Sequence, residues 1–301
     1  MKAVRSADFR GRARFVLGIL TTPQKDIFHS GYHLGLLSGI LPRVKALGGR
    51  LEIVMMPPRP CRNLDEILTR HNLDGLMILT WRWIHPSVAR LIETQKHPRV
   101  LVVNDPLPGL KVNHVYTDAV HGTRLAVDRL VGKGIRGIGM VHGPLAISFR
   151  TGDRVRKSPF IDTILKRNAF LKALKARKVP AEKKWIRAAA ANSEAEGYRV
   201  MKTWVREREL PAAIVCGNDD LAFGVIRALK AAGLRCPGDI LVTGFDDNGK
   251  AAGFRPPLTT IRQPLQRMGK DAVDILFRQI RKPGRAVAKK YPPKLIVRKS
   301  A

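Results

Sequence analysis

Residues 213–232 read Ala213-Ile-Val-Cys-Gly-Asn-Asp-Asp-Leu-Ala-Phe-Gly-Val-Ile-Arg-Ala-Leu-Lys-Ala-Ala232. Four consecutive apolar residues, then a Gly-Asn break, then apolar residues at helical spacing describe a buried strand followed by an amphipathic helix. The same phrase recurs along the chain. Val16–Leu20 precedes a segment with Leu34, Leu37, Leu41, Val44 and Leu47 on one side. Leu51–Met55 leads to Leu64–Leu68, Gly75–Leu79 to Val88–Ile92, and Ile138–Val141 to Phe170–Lys178. Trp185–Ala190 leads to Gly197–Val205, and Ile240–Thr243 precedes a loop and a helix near Met268–Ile280. Continuous apolar strands alternating with helices predict parallel sheets covered on both faces. About ten such units exceed one compact sheet, so two α/β lobes are expected. Ligands of open α/β sheets bind beyond the carboxyl ends of the strands, which directs attention to the residue after each strand.

Composition narrows the class. The chain has 301 residues, 45% of them hydrophobic, and no apolar run long enough to span a bilayer. Met1–Arg14 is basic but no signal-peptide stretch follows it, so the cytoplasm is the expected compartment. Cys61, Cys216 and Cys236 are odd in number and far apart, and suggest neither a disulfide framework nor a zinc site. The formal net charge of +31 favours polyanion partners. Thirteen Lys/Arg against three Asp/Glu fall in 150–187, and nine against none in 278–301. Neither stretch carries interleaved aromatics that could stack bases, and a merely solvated basic surface stays open.

Several blocks, in order, resemble the LacI/GalR family of transcriptional regulators. They are Leu73-Asp-Gly-Leu-Met-Ile-Leu, His121-Gly-Thr-Arg-Leu-Ala-Val, Gly143-Pro, Gly197-Tyr-Arg-Val-Met and the 213–229 stretch. Val242-Thr-Gly-Phe-Asp-Asp, Pro256-Pro-Leu-Thr-Thr-Ile-Arg-Gln-Pro and Pro292-Pro-Lys-Leu-Ile-Val-Arg complete the set. The resemblance runs from about residue 15 onward. It implies two doubly wound parallel-sheet lobes joined by three crossovers, the type I periplasmic-binding-protein fold, with crossovers near Gly134, Asp247 and Lys282. The implied lobes are 15–134 with 248–282, and 135–247 with 283–301. Residues 1–14 resemble the end of a hinge and its linker, so no helix-turn-helix headpiece is expected within this sequence.

Candidate ligand contacts follow partly from strand ends and partly from the resemblance. Asn218 and Asp219 follow a predicted strand, where Asx residues can simply cap the next helix; the family pattern turns Asn218 to the ligand. Asp246 sits after the next strand, and a carboxylate there can accept two hydroxyl donors, or form an Asx turn. Asp247 is expected to be structural. The resemblance puts Tyr32 and His33 where relatives present two aromatics, and Trp81 at a strand end can pack on the apolar face of a sugar ring; Trp83 is a weaker alternative. Lys166 stands four residues before Phe170, where relatives carry arginine. Asn192 replaces a ring-stacking aromatic five residues before Gly197, which disfavours a stacked purine and leaves a sugar or polyol.

No catalytic, metal or cofactor site is expected. Gly132-Lys-Gly-Ile-Arg-Gly137 matches GxGxxG but lies between a helix and a following strand, the reverse of a dinucleotide fingerprint. It reads as a helix C-cap and turn. His29 and His33 lack a third ligand. The expectation is a non-enzymatic effector-binding body, forming a homodimer through Met268–Ile280 and helices of the first lobe. It would contact operator DNA only through an upstream headpiece or its basic patches. The alternative is a stand-alone solute-binding protein of the same fold.

Overall fold

The computed structural model describes residues 13–21, 31–55, 63–79, 91–92, 94–103, 112–151 and 154–301. The chain divides into two compact units, 1–117 with 264–291 and 118–263 with 292–301.

The first unit is a six-stranded sheet in the order β2-β1-β3-β4-β5-β13, every pairing parallel. Its strands are β1 (Val16–Thr21), β2 (Arg50–Met55), β3 (Gly75–Ile78), β4 (His97–Val103), β5 (Val112–Thr117) and β13 (Ala288–Tyr291). Leu17 and Ile19 of β1 join Met77, Leu101, Val103 and Val115 in one buried cluster. On that face lie helices α1 (Gly31–Ala46) and the late α7 (Leu265–Arg281), numbered here in chain order. These two helices approach unusually closely because glycines face each other's backbone. A Cβ at Gly39 would strike the carbonyl of Gln266, and one at Gly269 the carbonyl of Leu36. A short helix, α2 (Leu64–Arg70), is capped by Asn63, whose Oδ1 accepts the Glu66 N–H at 2.8 Å.

The second unit is built on four parallel strands in the order β9-β6-β10-β11. These are β6 (Ile138–His142), β9 (Ile186–Ala188), β10 (Ala213–Cys216) and β11 (Leu241–Thr243). Side chains alternate across the sheet as strand geometry requires. Ile214 and Cys216 join the cluster beneath α5 (Glu194–Glu207) and α6 (Asp219–Ala231). Ala213 and Val215 join the cluster beneath α3 (Ala119–Gly132) and α4 (Ile161–Ala176). Both faces of the sheet are therefore covered, which is why the quoted strand is apolar throughout. A second close helix pair, α5 with α6, again rests on glycines, Gly197 against the Leu221 carbonyl and Gly224 against that of Glu194. An antiparallel ribbon, β7 (Ala146–Thr151) with β8 (Arg154–Pro159), fills the insertion before α4. β12 (Thr260–Arg262) pairs antiparallel with β14 (Lys294–Ile296).

The α/β doubly wound class agrees with the sequence reading, but the chain changes unit elsewhere. It crosses after Thr117, Gln263 and Tyr291 rather than near Gly134, Asp247 and Lys282. The physical reasons are local. Ala126, Val127 and Leu130 of α3 are buried with Phe170 and Leu174, which assigns α3 to the second unit. Leu258, Thr260 and Ile261 are fully buried there too. β13 completes the first sheet by pairing with β5. Of the segment Met268–Ile280, expected at a dimer face, Met268, Ala272, Ile275 and Leu276 are buried in the first unit's own core, whereas Lys270 and Arg278 are exposed. The GxGxxG stretch is a helix end and turn, with α3 ending at Gly132 and Gly134 at φ +81° before β6.

Candidate functional site

In the second unit the strand order reverses between β6 and β10, so the crevice at that switch point opens beyond His142 and Gly217. Four of the candidate residues belong to this end of the sheet. Asn218 caps α6, its Oδ1 accepting the Leu221 N–H at 2.9 Å. The capping reading of the Asn-Asp pair therefore falls on Asn218, and a ligand could engage only the rest of its amide. Asp219 is almost wholly buried and accepts hydrogen bonds from the Thr260 hydroxyl and, at 2.8 Å, the Asn248 N–H. Burial pushes its carboxyl up to about 6. It ties the start of α6 to β12 and to the loop beyond Asp247.

Asp246 lies one turn past β11. Its backbone N–H donates to the Ile261 carbonyl at 2.8 Å, and its carboxylate accepts from Gln263 Nε2 at 2.7 Å. Its φ of +124° is a conformation that only glycine adopts freely. Burial drives this carboxyl well above the usual carboxylate range; the Lys166 ammonium opposes the lift and Asp219 adds to it. Lys166, on α4, is buried, donates to the Gly217 carbonyl at 3.1 Å and pairs with Asp162 at 2.7 Å. Its Nζ also rests 3.8 Å from the centroid of the Phe245 ring. The fold thus seats Lys166 on Gly217 and Phe245, the sequence neighbours of Asn218 and Asp246, at the carboxyl ends of β10 and β11. Asp247, by contrast, is an anchor, with Arg298 at 2.7 Å on one side and Arg262 on the other.

Asn192 is exposed and lies over Gly143, where a Cβ would overlap its Oδ1. It borders the end of β6. Three members of the site were missed from sequence. His142 is buried at the end of β6 with Nδ1 2.7 Å from the Gly143 carbonyl. Burial lowers its pKa, and the charge of Arg167 lowers it further. The ring is therefore neutral at pH 7, with the Nδ1 proton directed at Gly143 and Nε2 left as an acceptor. Gln263 holds Asp246, and its own Oε1 is buried without a hydrogen-bond partner. Asp162 could have been found from its i,i+4 spacing to Lys166.

The remaining candidates belong to the first unit. Tyr32 and His33 occupy the first turn of α1; Tyr32 packs against the core and His33 is buried, their rings edge-to-face at 5.4 Å. Trp81, Trp83 and His29 lie outside the described residues. A groove between α1 and α7, lined by Arg43, Asp274, Phe277 and Lys289, holds charges matched to one another: Arg43 with Asp274 and Lys289 with Asp271, each at 2.6 Å. No helix among the described residues is long and apolar enough to cross a membrane.

Parallel sheets in two units, linked by three chain passages and bearing polar clusters at strand ends, define a periplasmic-binding-protein-like domain. A family-level match to the periplasmic binding protein-like domain covers residues 127–301. The chain is 31% identical over 247 residues to the HTH-type transcriptional repressor PurR of Haemophilus influenzae strain PittEE, covering 81% of this chain and 69% of that protein. Two solved structures share the fold. One is the transcriptional regulator CelR–cellobiose complex, with a TM-score of 0.78 and 20% identity, covering 95% of this chain and 84% of that one. The other is the lac repressor dimer bound to operator and the anti-inducer ONPF, with a TM-score of 0.76 and 23% identity, covering 97% and 95%. The chain belongs to the LacI family of transcriptional regulators and carries that family's effector-binding domain.

Proposed function

We propose that this chain is the sensing body of a cytoplasmic transcriptional regulator that binds a small sugar or polyol at the strand-end cluster of Lys166, Asn192, Asn218 and Asp246. Binding would bias a homodimer's affinity for operator DNA, a coupling that requires differential affinity between two states.

The observation that carries the reading is Asp246. A non-glycine residue held at φ +124°, with a carboxyl lifted by burial, costs stability. The buried, unsatisfied Oε1 of Gln263 beside it is an acceptor suited to a hydroxyl donor. Together with the Nε2 of His142 and the donors of Lys166 and Asn218, the cluster offers mixed donors and acceptors, which matches vicinal hydroxyls. The cellobiose complex of a structural relative lends support to the ligand class.

A thermal-shift screen of sugars, polyols and nucleosides tests the proposal. A ligand at about 100 times its Kd stabilises the native state by about 2.7 kcal/mol. The expected result is a sugar or polyol hit whose shift Asp246→Asn abolishes. A hit that binds Asp246→Asn undiminished removes the site assignment, and a nucleoside hit that depends on Asp246 replaces the ligand class.

A further inference from the structure

We propose that the amino-terminal edge of the six-stranded sheet is a phosphate-contacting surface for duplex nucleic acid, a role separate from the ligand cluster and independent of it. The geometry follows from topology. All six strands are parallel, so the connections feeding their first residues lie along one edge of the sheet. Exposed bases stand along this edge: Arg14 before β1, Lys45 in the last turn of α1, Arg50 as the first residue of β2, Lys96 before β4, and Lys282 and Arg285 before β13. At a strand spacing of about 4.8 Å the row spans about 24 Å.

Helix ends explain only part of this row. Basic residues favour the last turn of a helix because of its dipole, which accounts for Lys45. Lys96, just past a helical turn that closes with the Gln95 N–H on the Leu91 carbonyl, and Lys282, the C-cap of α7, fall under the same rule, whereas Arg14, Arg50 and Arg285 do not. Among the described residues three acids lie beside the row: Glu52 pairs with Arg50 at 2.7 Å, Asp74 accepts the Val16 N–H at 2.7 Å, and Asp65 meets His97 at 3.1 Å and Arg99 at 3.2 Å. Like charges repel over about one Debye length, roughly 10 Å at 0.1 M salt, which is about two strand spacings. A polyanion relieves that repulsion and releases its own counterions.

The β13 end of the row is also pre-shaped. Gln279 Nε2 donates to the Arg285 carbonyl at 2.9 Å, and the Gly284 N–H donates to Gln279 Oε1 at 2.8 Å. Buried Asn113 accepts the Val287 N–H at 3.0 Å and is joined to Gln279 at 3.3 Å. Lys282 and Arg285 are thus presented by a loop whose backbone is already fixed, which lowers the ordering cost of a contact. Duplex DNA carries one charge per about 1.7 Å of axis, so a row of about 24 Å faces roughly seven base pairs.

The test is fluorescence anisotropy of the full chain with a labelled 24-base-pair duplex of arbitrary sequence, titrated at several salt concentrations. About five phosphate contacts give a slope of log K against log salt near −4.5. The triple variant Lys96→Glu, Lys282→Glu, Arg285→Glu is expected to weaken binding at least tenfold at low salt and to bring the slope to about −2. A control with the same charge change in the second unit, Lys172→Glu, Lys175→Glu, Lys202→Glu, is expected to stay within about threefold of the parent. Equal losses in the two triples would assign the effect to net charge and overturn the surface. So would a parent chain that does not bind the duplex, or polyglutamate of equal charge displacing it equally well. The first triple leaves the ligand-induced thermal shift intact, so failure here and failure of the ligand site are told apart.

Discussion

Replacing Asp219 by asparagine is expected to change how stability depends on pH, and the size follows from its surroundings. The side chain is 1% exposed, and burial lifts its carboxyl from 3.8 to about 6 against the hydrogen bonds from Thr260 and Asn248. The folded chain therefore holds a proton at Asp219 through a range in which the unfolded chain has released it. Its contribution is fully present below about pH 4 and is lost as pH rises towards 6. At about 1.36 kcal/mol per pKa unit, the loss is at most about 3 kcal/mol. Asparagine cannot titrate, so the variant should lack this slope. Part of the difference passes through Asp246, whose carboxyl is lifted in turn by the Asp219 charge. Urea denaturation of both chains at half-unit steps from pH 4 to 7 measures it. The stability difference should move by about 2–3 kcal/mol in favour of the variant as pH rises, and flatten above pH 6. A constant difference over the whole range would refute the argument that burial governs this carboxyl.

Three further outcomes follow from packing and backbone geometry. Gly269→Ala puts a methyl against the Leu36 carbonyl, where backbone cannot yield as a side-chain tip can; a loss of about 3 kcal/mol in urea denaturation is expected. Trp204→Phe keeps most of a fully buried ring but leaves the Lys184 carbonyl without the indole donor now at 3.0 Å, and should cost about 1–3 kcal/mol. Asp246→Gly removes a strained φ and a buried carboxyl at the cost of one bond to Gln263; Tm should rise, by the equivalent of about 1 kcal/mol, while ligand binding is lost. A fall in Tm for that glycine variant would show that Asp246 serves the fold and not a ligand.

Much of this architecture is written in local pattern. The apolar run 213–216, a cap within the Asn218–Asp219 pair and the glycine turn at Gly134 each act over a few residues and appear where pattern places them, although which of the pair caps was not legible. The unit boundaries are another matter. Whether α3 or β13 belongs to one unit or the other depends on partners 40 or more residues away, such as Phe170 for Leu130 and β5 for β13. The site divides the same way. Asp246 and Asn218 are visible as polar residues ending strands, whereas the meeting of Lys166 with Gly217 and Phe245 exists only once α4 lies on the sheet. The positive φ of Asp246 could not be read at all, because nothing in an aspartate announces it. The apolar stripe of Met268–Ile280 is legible in sequence, but that it packs with α1 in the first unit's core is not.

The central claim is that a hydroxylated ligand binds at the carboxyl ends of β6, β10 and β11. A crystal structure of the chain soaked with the best sugar or polyol from the thermal screen tests it most directly. Ligand hydroxyl oxygens should lie within hydrogen-bonding distance of the Asp246 carboxylate and of Lys166 Nζ or the Asn218 amide. Density for the ligand elsewhere, as in the groove between Arg43 and Lys289, with this cluster unchanged, would contradict the account.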